Sequence, residues 1–260
     1  MCSERFGRDD TTTSQRIEMI KQALIGLTAA ALLAGCGGED KAQAPAAKAA
    51  DGTKTVGLVQ LVEHPALDAA SRGIQDAVKA RGLKVTFDVQ NAQADQSNLA
   101  NIAQRFVSQE YPLIFAVATP AAQTMANAAK NTPIVATAVT DYEAAKLVIN
   151  KDKPGTNVTG SSDLNPIGAQ LDLIMQFVPN AKTIGTIYNS SEINSQFQVE
   201  ILKKELARYN VTLVEGTVSS VNDVQQVAQG LIGKIDALYV PTDNIIASAI
   251  ARSHQDPPPP

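Results

Sequence analysis

A regular alternation constrains this chain more than any other feature. From residue 55 onward, short β-branched runs are separated by segments of helical periodicity, beginning with "TVGLVQLV" (55–62) and "PALDAASRGIQDAVKARG" (65–82). The exchange continues through "LKVTFDVQN", "DQSNLANIAQRFVSQE", "YPLIFAVAT", "PAAQTMANAAKN" and "PIVATAVT". Strands each followed by a helix do not form hairpins with their sequence neighbours, so the pattern predicts βαβ units on a parallel sheet. Pro65 suits a first helical position and Gly82 a stop.

The scheme then repeats. "TIGTIYNS" (183–190), "EINSQFQVEILKKELARYN", "VTLVEGTV", "SVNDVQQVAQGLIGK" and "IDALYVPTD" follow in the same order. Thr55 to Thr183 and Leu83 to Val211 share one offset of 128 residues. This register predicts an α/β protein of two similar Rossmann-like lobes with parallel sheets, 55–142 and 165–250, joined by a crossing at 143–164. Pro154-Gly155 and Gly160-Ser161-Ser162 mark that crossing as loop. An eight-stranded barrel would alternate in the same way, but it needs no loop-rich segment at its midpoint.

The ends of the chain read differently. Ala23 to Ala34 is apolar but too short for a membrane span, which needs about 20 residues. It fits the apolar region of an export signal. Leu33-Ala34-Gly35-Cys36 at its end resembles the bacterial lipobox, which implies lipidation of Cys36 within a leader of residues 1–36. Glu4, Asp9, Asp10 and Glu18 sit ahead of a signal that should begin positive, so translation is expected to start at Met19, with Cys2 irrelevant. No disulfide or cysteine metal site is then expected.

Residues 37–54, rich in Ala, Lys, Gly and Pro, are expected to be a flexible tether. With a net charge of −4 and scattered Lys and Arg, nothing suggests a nucleic-acid surface, and no nucleic-acid partner is expected. At the other end, "ARSHQDPPPP" (251–260) interrupts a helical pattern that prolines cannot continue. It reads as an aberrant Pro-rich tail on an incomplete second lobe, and that lobe is expected to be the less stable of the two.

In open parallel sheets, ligands bind outside the carboxyl ends of the strands. Those positions here are Glu63-His64-Pro65, Thr119-Pro120-Ala121, Thr140-Asp141-Tyr142, Asn189-Ser190-Ser191-Glu192 and Thr242-Asp243-Asn244. Small hydroxyl, amide and acidic residues open a helix at most of them. A helix N-terminus offers free N–H groups to a carboxylate, and Glu63, Asp141, Glu192 or Asp243 could balance an ammonium. The set suits a zwitterion such as an amino acid. Each residue taken singly is also an ordinary helix cap, and His64 beside a proline is a natural structural histidine. No Gly-x-Ser-x-Gly elbow, phosphate loop or histidine pair at metal spacing is present, which argues against catalysis.

Three segments carry a resemblance: "VEHPALDAASRGIQDAVKARG", "NVTGSSDLNPIGAQLDLIMQFVPNAKTIGTIYNSSEINS" and "VQQVAQGLIGKIDALYVPTDN". Over about Thr55 to Ile250 the chain resembles the ABC-transporter substrate-binding lipoproteins of the tryptophan/tyrosine type. The resemblance implies a type I periplasmic-binding-protein fold that closes on a small ligand, an amino acid and possibly an aromatic one, and delivers it to an ABC permease. It implies export, a lipid anchor, and no cofactor, metal or catalytic residue. The cleft segments it implies are His64, Pro65 and Asp68; Thr119 and Pro120; Thr140 and Asp141; Tyr188, Asn189, Ser190, Ser191 and Asn194; and Thr242, Asp243 and Asn244. Two departures stand out. Tyr142-Glu143 replaces the family's usual Pro and small residue, and family members continue beyond Ile250. With no tryptophan in the chain, the candidate stacking aromatics are Tyr142 and Tyr188. A ligand-binding sensor domain and a small exported α/β hydrolase are the alternative readings.

Overall fold

The computed structural model describes residues 52–253. The expectations placed on Cys2, Met19, Cys36, most of the tether and the prolines of the tail lie outside the described residues.

The chain runs β1 (Lys54–Gln60), α1 (Pro65–Ala80), β2 (Val85–Asn91), α2 (Gln96–Ser108), β3 (Ile114–Val117), α3 (Thr119–Ala128), β4 (Ile134–Val139) and β5 (Val158–Ser162). It continues through α4 (Ile167–Phe177), β6 (Thr183–Asn189), α5 (Ile193–Leu206), β7 (Thr212–Val218), α6 (Val224–Leu231), β8 (Ala237–Tyr239) and α7 (Asn244–Ser253). Every strand pair is parallel. One sheet has the order β2-β1-β3-β4-β5 and the other β7-β6-β8. The offset of 128 therefore has a topological meaning: it carries β1 onto β6 and β2 onto β7, and each unit places its first strand between its second and third.

Burial follows from that placement. An interior strand of a parallel sheet is covered by helices on both faces and is buried along nearly its whole length. Val56 to Gln60 on β1 and Ile184 to Ile187 on β6 are all buried. Around the first sheet, Leu58, Leu99, Phe106, Ile114, Met125 and Ile134 form a single core. The second sheet has Leu171, Ile184 and Leu202 on one side, and Ile187, Val218, Ile245 and Ile246 on the other. Two residues pack across: Ile193 of α5 against the first core, and Ala94, which follows β2, against the Ile187 cluster.

The segment expected to be only a crossing contributes a strand. β5 joins the first sheet beside β4, with Val158 buried at its start and Thr159 to Ser162 exposed. Its polar sequence carries no apolar period because it is an edge strand with one residue facing the core. Gly160 is what allows it to sit there. A Cβ at this position would lie 1.8 Å from the Ala136 carbonyl oxygen and 2.2 Å from the Tyr142 hydroxyl. Tyr142 runs under the strand and donates to the Ala136 carbonyl at 2.8 Å. The expected helix at 220–234 also divides. A 3-10 turn at Val221–Asp223, closed by a capping box between Ser220 and Asp223, precedes the shorter α6.

Candidate functional site

In a sheet of order 2-1-3-4-5 the chain reverses its direction of growth between β1 and β3, leaving a crevice at their carboxyl ends. The smaller sheet has the same reversal between β6 and β8. At this level the two sheets enclose a cavity of about 260 Å³. His64, Ala66 and Leu67 reach it after β1, Ala138 from β4 and Asp163 just past β5. Val240 to Asn244 form the opposite wall, with Ala247 and Ile250 of α7.

The backbone at this edge is held in unusual conformations. Ala118, ahead of α3, has φ 88° and ψ 152°, a region that favours glycine. Ala138 has φ 54° at a register shift in β4. Such departures cost free energy and collect where a fold aims groups at a ligand.

Of the residues expected from sequence, His64, Thr242, Asp243 and Asn244 line the cavity. His64 precedes α1, and its side chain makes no capping bond to that helix. It is 7 % exposed, and its Nε2 has no hydrogen-bond partner. Burial pushes its pKa down, against a hydrogen bond to Asn244 and the charge of Asp68, and so favours the neutral ring. With Pro65 at the first helical position, the start of α1 presents an imidazole and an uncapped helix end to the cavity.

The opposite wall is a pair of helices tied together by two acids that both cap α7. Asp243 Oδ1 accepts from the Ile246 N–H, capping its own helix α7. Its Oδ2 accepts from the Asn189 N–H and the Ser195 hydroxyl, both at 2.7 Å, which ties α7 to α5. Glu192 precedes α5 yet caps α7: its carboxylate accepts from the N–H groups of Asn244 and Ile245 and from the Asn244 amide. Asn194 donates to Glu192 and to the Thr242 carbonyl. Both acids are 2 % exposed. Burial, and next the charge of Asp243, raise Glu192 to about 7, while donors from Asn194 and Asn244 pull it back.

The remaining expected residues are placed elsewhere. Thr140 meets Thr242 across the sheets, Oγ1 to Oγ1 at 3.0 Å. Thr119 is buried at the start of α3 with an unpartnered hydroxyl, and Pro120 is buried beside it. Asp68 accepts from Gln60 Nε2 at 2.6 Å. Asp141 caps the turn behind it through the N–H groups of Glu143 and Ala144 and pairs with Lys151 at 2.8 Å. Burial works to raise its pKa, but the Ala144 N–H and the Lys151 ammonium outweigh it and hold the carboxyl down. Asn189 serves Asp243 and orders Ser191, while Ser190 and Ser191 are exposed.

The two candidate aromatics do not stack in the cavity. Tyr188 donates to Glu215 on β7, and Tyr142 is spent beneath β5. Sequence reasoning missed Asp163, Gln198 and Ser195. Asp163 was hidden in what looked like a crossing loop. Gln198 and Ser195 lie inside a helix, where nothing in the sequence distinguishes a buried polar residue from an exposed one.

Among the described residues no helix is long and apolar enough to cross a membrane, and no cluster of His, Cys, Asp or Glu could hold a metal ion. The family model of the ABC transporter substrate binding protein matches residues 55–255. A tyrosine-binding protein of Clostridioides difficile is 42 % identical over 240 residues, an alignment covering 90 % of this chain and 70 % of that protein. A conserved domain protein of Vibrio cholerae, solved as a crystal structure, is 40 % identical with a TM-score of 0.74, over 79 % of this chain and 73 % of that one. The ABC domain from Streptococcus pneumoniae in complex with L-Trp is also 40 % identical with a TM-score of 0.74, over 76 % of this chain and 68 % of that one. Two parallel sheets, both reversing at one cavity in the fold of the type I periplasmic binding proteins, agree with that match, and the chain belongs to the ABC transporter substrate binding protein family.

Proposed function

We propose that this protein binds an amino acid, with an aromatic one preferred, in the cavity between its two sheets and delivers it to the permease of an ABC importer. The observation that carries the reading is the His64 corner. A buried imidazole nitrogen without a partner stands beside an uncapped helix start at the wall of a 260 Å³ cavity. A carboxylate placed there would accept from the N–H groups of the helix start, and its charge would favour the ring form that carries a proton on Nε2. Leu67, Ala138, Ala247 and Ile250 supply apolar wall for a side chain.

The lobes at 55–142 and 165–250 close around the ligand, and the closed form is what the permease recognises. Thr119, Asp68, Asn189 and the remaining cleft residues act by shaping that closed form. The protein does no covalent chemistry. It is exported and held to the cell envelope by a lipid on Cys36.

Isothermal titration of the 260-residue chain against the proteinogenic amino acids and a set of nucleosides tests this. Saturable binding of L-tryptophan or L-tyrosine, with no heat from nucleosides, is expected. Absence of binding by every amino acid would overturn it.

A further inference from the structure

We propose that Asp163, rather than Asp243, holds the ligand's positively charged nitrogen and so sets a preference for amines over analogues that lack the amine. This rests on the amino-acid reading above and deepens it.

The assignment comes from asking what each nearby acid is already doing. Asp243 faces the cavity, but its oxygens accept three donors from its own lobe, and it is 2 % exposed. Glu192 stands behind the wall and is occupied with the start of α7. Asp141 is paired with Lys151, and Asp68 is bonded to Gln60. Neither is part of the cavity lining. Glu63 is exposed and outside that lining too. Asp163 differs from all of them: it lines the cavity and its side chain remains accessible there.

Its position is fixed by the backbone. The Asp163 N–H donates to the Val139 carbonyl at 3.1 Å, and the preceding Ser162 hydroxyl donates to the Thr140 carbonyl at 2.7 Å. The residue is thus pinned to the end of β4, next to the Thr140–Thr242 bond between the sheets. A carboxylate on a pinned loop loses little freedom when a ligand arrives.

Charge completes the argument. Among the described residues no Lys or Arg lines the cavity, and burial lowers the His64 pKa. The wall therefore carries acids and no protein cation to balance them. The cavity wall around it withdraws some water and raises the Asp163 pKa from its ordinary value, with the Thr140 hydroxyl pulling it back, although the side chain still meets solvent. A ligand that brings an ammonium relieves that cost, whereas a purely anionic ligand increases it. With the His64 corner taking a carboxylate, the two ends of an α-amino acid are recognised by different strand ends of the same sheet.

The test is calorimetric, on the full chain, with whichever of L-tryptophan or L-tyrosine binds, and its analogue lacking the amine (indole-3-propionate or 3-(4-hydroxyphenyl)propionate). Wild type is expected to prefer the amino acid by about tenfold or more. Asp163→Asn should weaken the amino acid by about ten- to a hundredfold and leave the anionic analogue unchanged or tighter, so that the preference collapses. Asp163→Glu should keep part of it. The thermal midpoint should be unchanged in both variants, since the side chain is accessible. A variant that retains the full preference, or a wild type that shows none, overturns the role of Asp163 while leaving the amino-acid site standing. A wild type that binds no amino acid overturns the site and this assignment together.

Discussion

Thr140 and Thr242, 102 residues apart in the chain, share a hydrogen bond of 3.0 Å between their hydroxyls. One ends β4 in the larger sheet and the other follows β8 in the smaller, so the bond joins the two lobes at the cavity. Gln198 of α5 donates to the same Thr242 oxygen and fixes it from behind. Apolar packing of Ile193 and Ala94 across the lobes accompanies it.

Replacing Thr140 by the isosteric Val should loosen closure without disturbing either core. A lost hydrogen bond of this kind is worth about 1 kcal/mol, which shifts an open–closed equilibrium by roughly fivefold. Small-angle scattering of the ligand-free protein should show a larger mean radius of gyration for Thr140→Val than for wild type. Identical scattering would mean that the bond does not help to hold the lobes together.

Glu192 should give stability a pH dependence of definite sign. Unfolded, it ionises near the ordinary glutamate value of 4.5; folded, burial and the neighbouring Asp243 charge raise it to about 7. Between those values the native protein keeps a proton that the unfolded chain has released. Its contribution is therefore full below about pH 4.5 and is lost as pH rises through about 7. Relative to wild type, Glu192→Gln should gain on the order of 2 kcal/mol of stability between about pH 5 and about pH 8. Urea unfolding at both pH values checks the difference, and parallel pH profiles would contradict it.

Asp243 is a structural clasp, and its removal should be felt first in stability. Asp243→Ala leaves the N–H groups of Asn189 and Ile246 and the hydroxyl of Ser195 without their acceptor. Buried donors left unpaired should cost about 2–4 kcal/mol, whereas Ser195→Ala should cost about 1 kcal/mol. Denaturant midpoints for the two variants test the ranking. An Asp243→Ala protein with wild-type stability and lost binding would return Asp243 to a ligand role.

Two glycines make a contrast that fold geometry alone decides. Gly160→Ala must force β5 away from β4, because its Cβ would fall within 1.8 Å of the Ala136 oxygen. A loss of about 2–3 kcal/mol should lower the thermal midpoint by roughly 5–10 °C. Gly73 lies inside α1 with nothing within 4 Å of an added Cβ. Gly73→Ala should be neutral or stabilising by about 0.5–1 kcal/mol. Equal effects at the two positions would show that β5 yields freely.

The sequence by itself determined the architecture of this protein. β1 and β6 are legible because an interior parallel strand is buried along nearly its whole length, and the shared offset follows because both lobes wind in the same order. The strand-end loops were legible for a similar reason: the topology leaves only one edge where helix starts converge. What escaped were elements whose character depends on a distant neighbour. β5 is polar and reads as a loop, and it becomes a strand only because β4 offers it an edge and Gly160 lets it approach. Tyr142 reads as a candidate stacking aromatic, and the structure gives its hydroxyl to the Ala136 carbonyl beneath β5.

The division of labour among the acids was likewise invisible. Asp141, Asp163, Glu192 and Asp243 are equivalent on paper, each next to a loop signal or a helix start. Only the packed structure gives one a lysine, two of them a helix to cap and the fourth an open cavity to face. A carboxylate's role is fixed by the donors within hydrogen-bonding reach, and the chain brings those donors together from segments far apart in sequence.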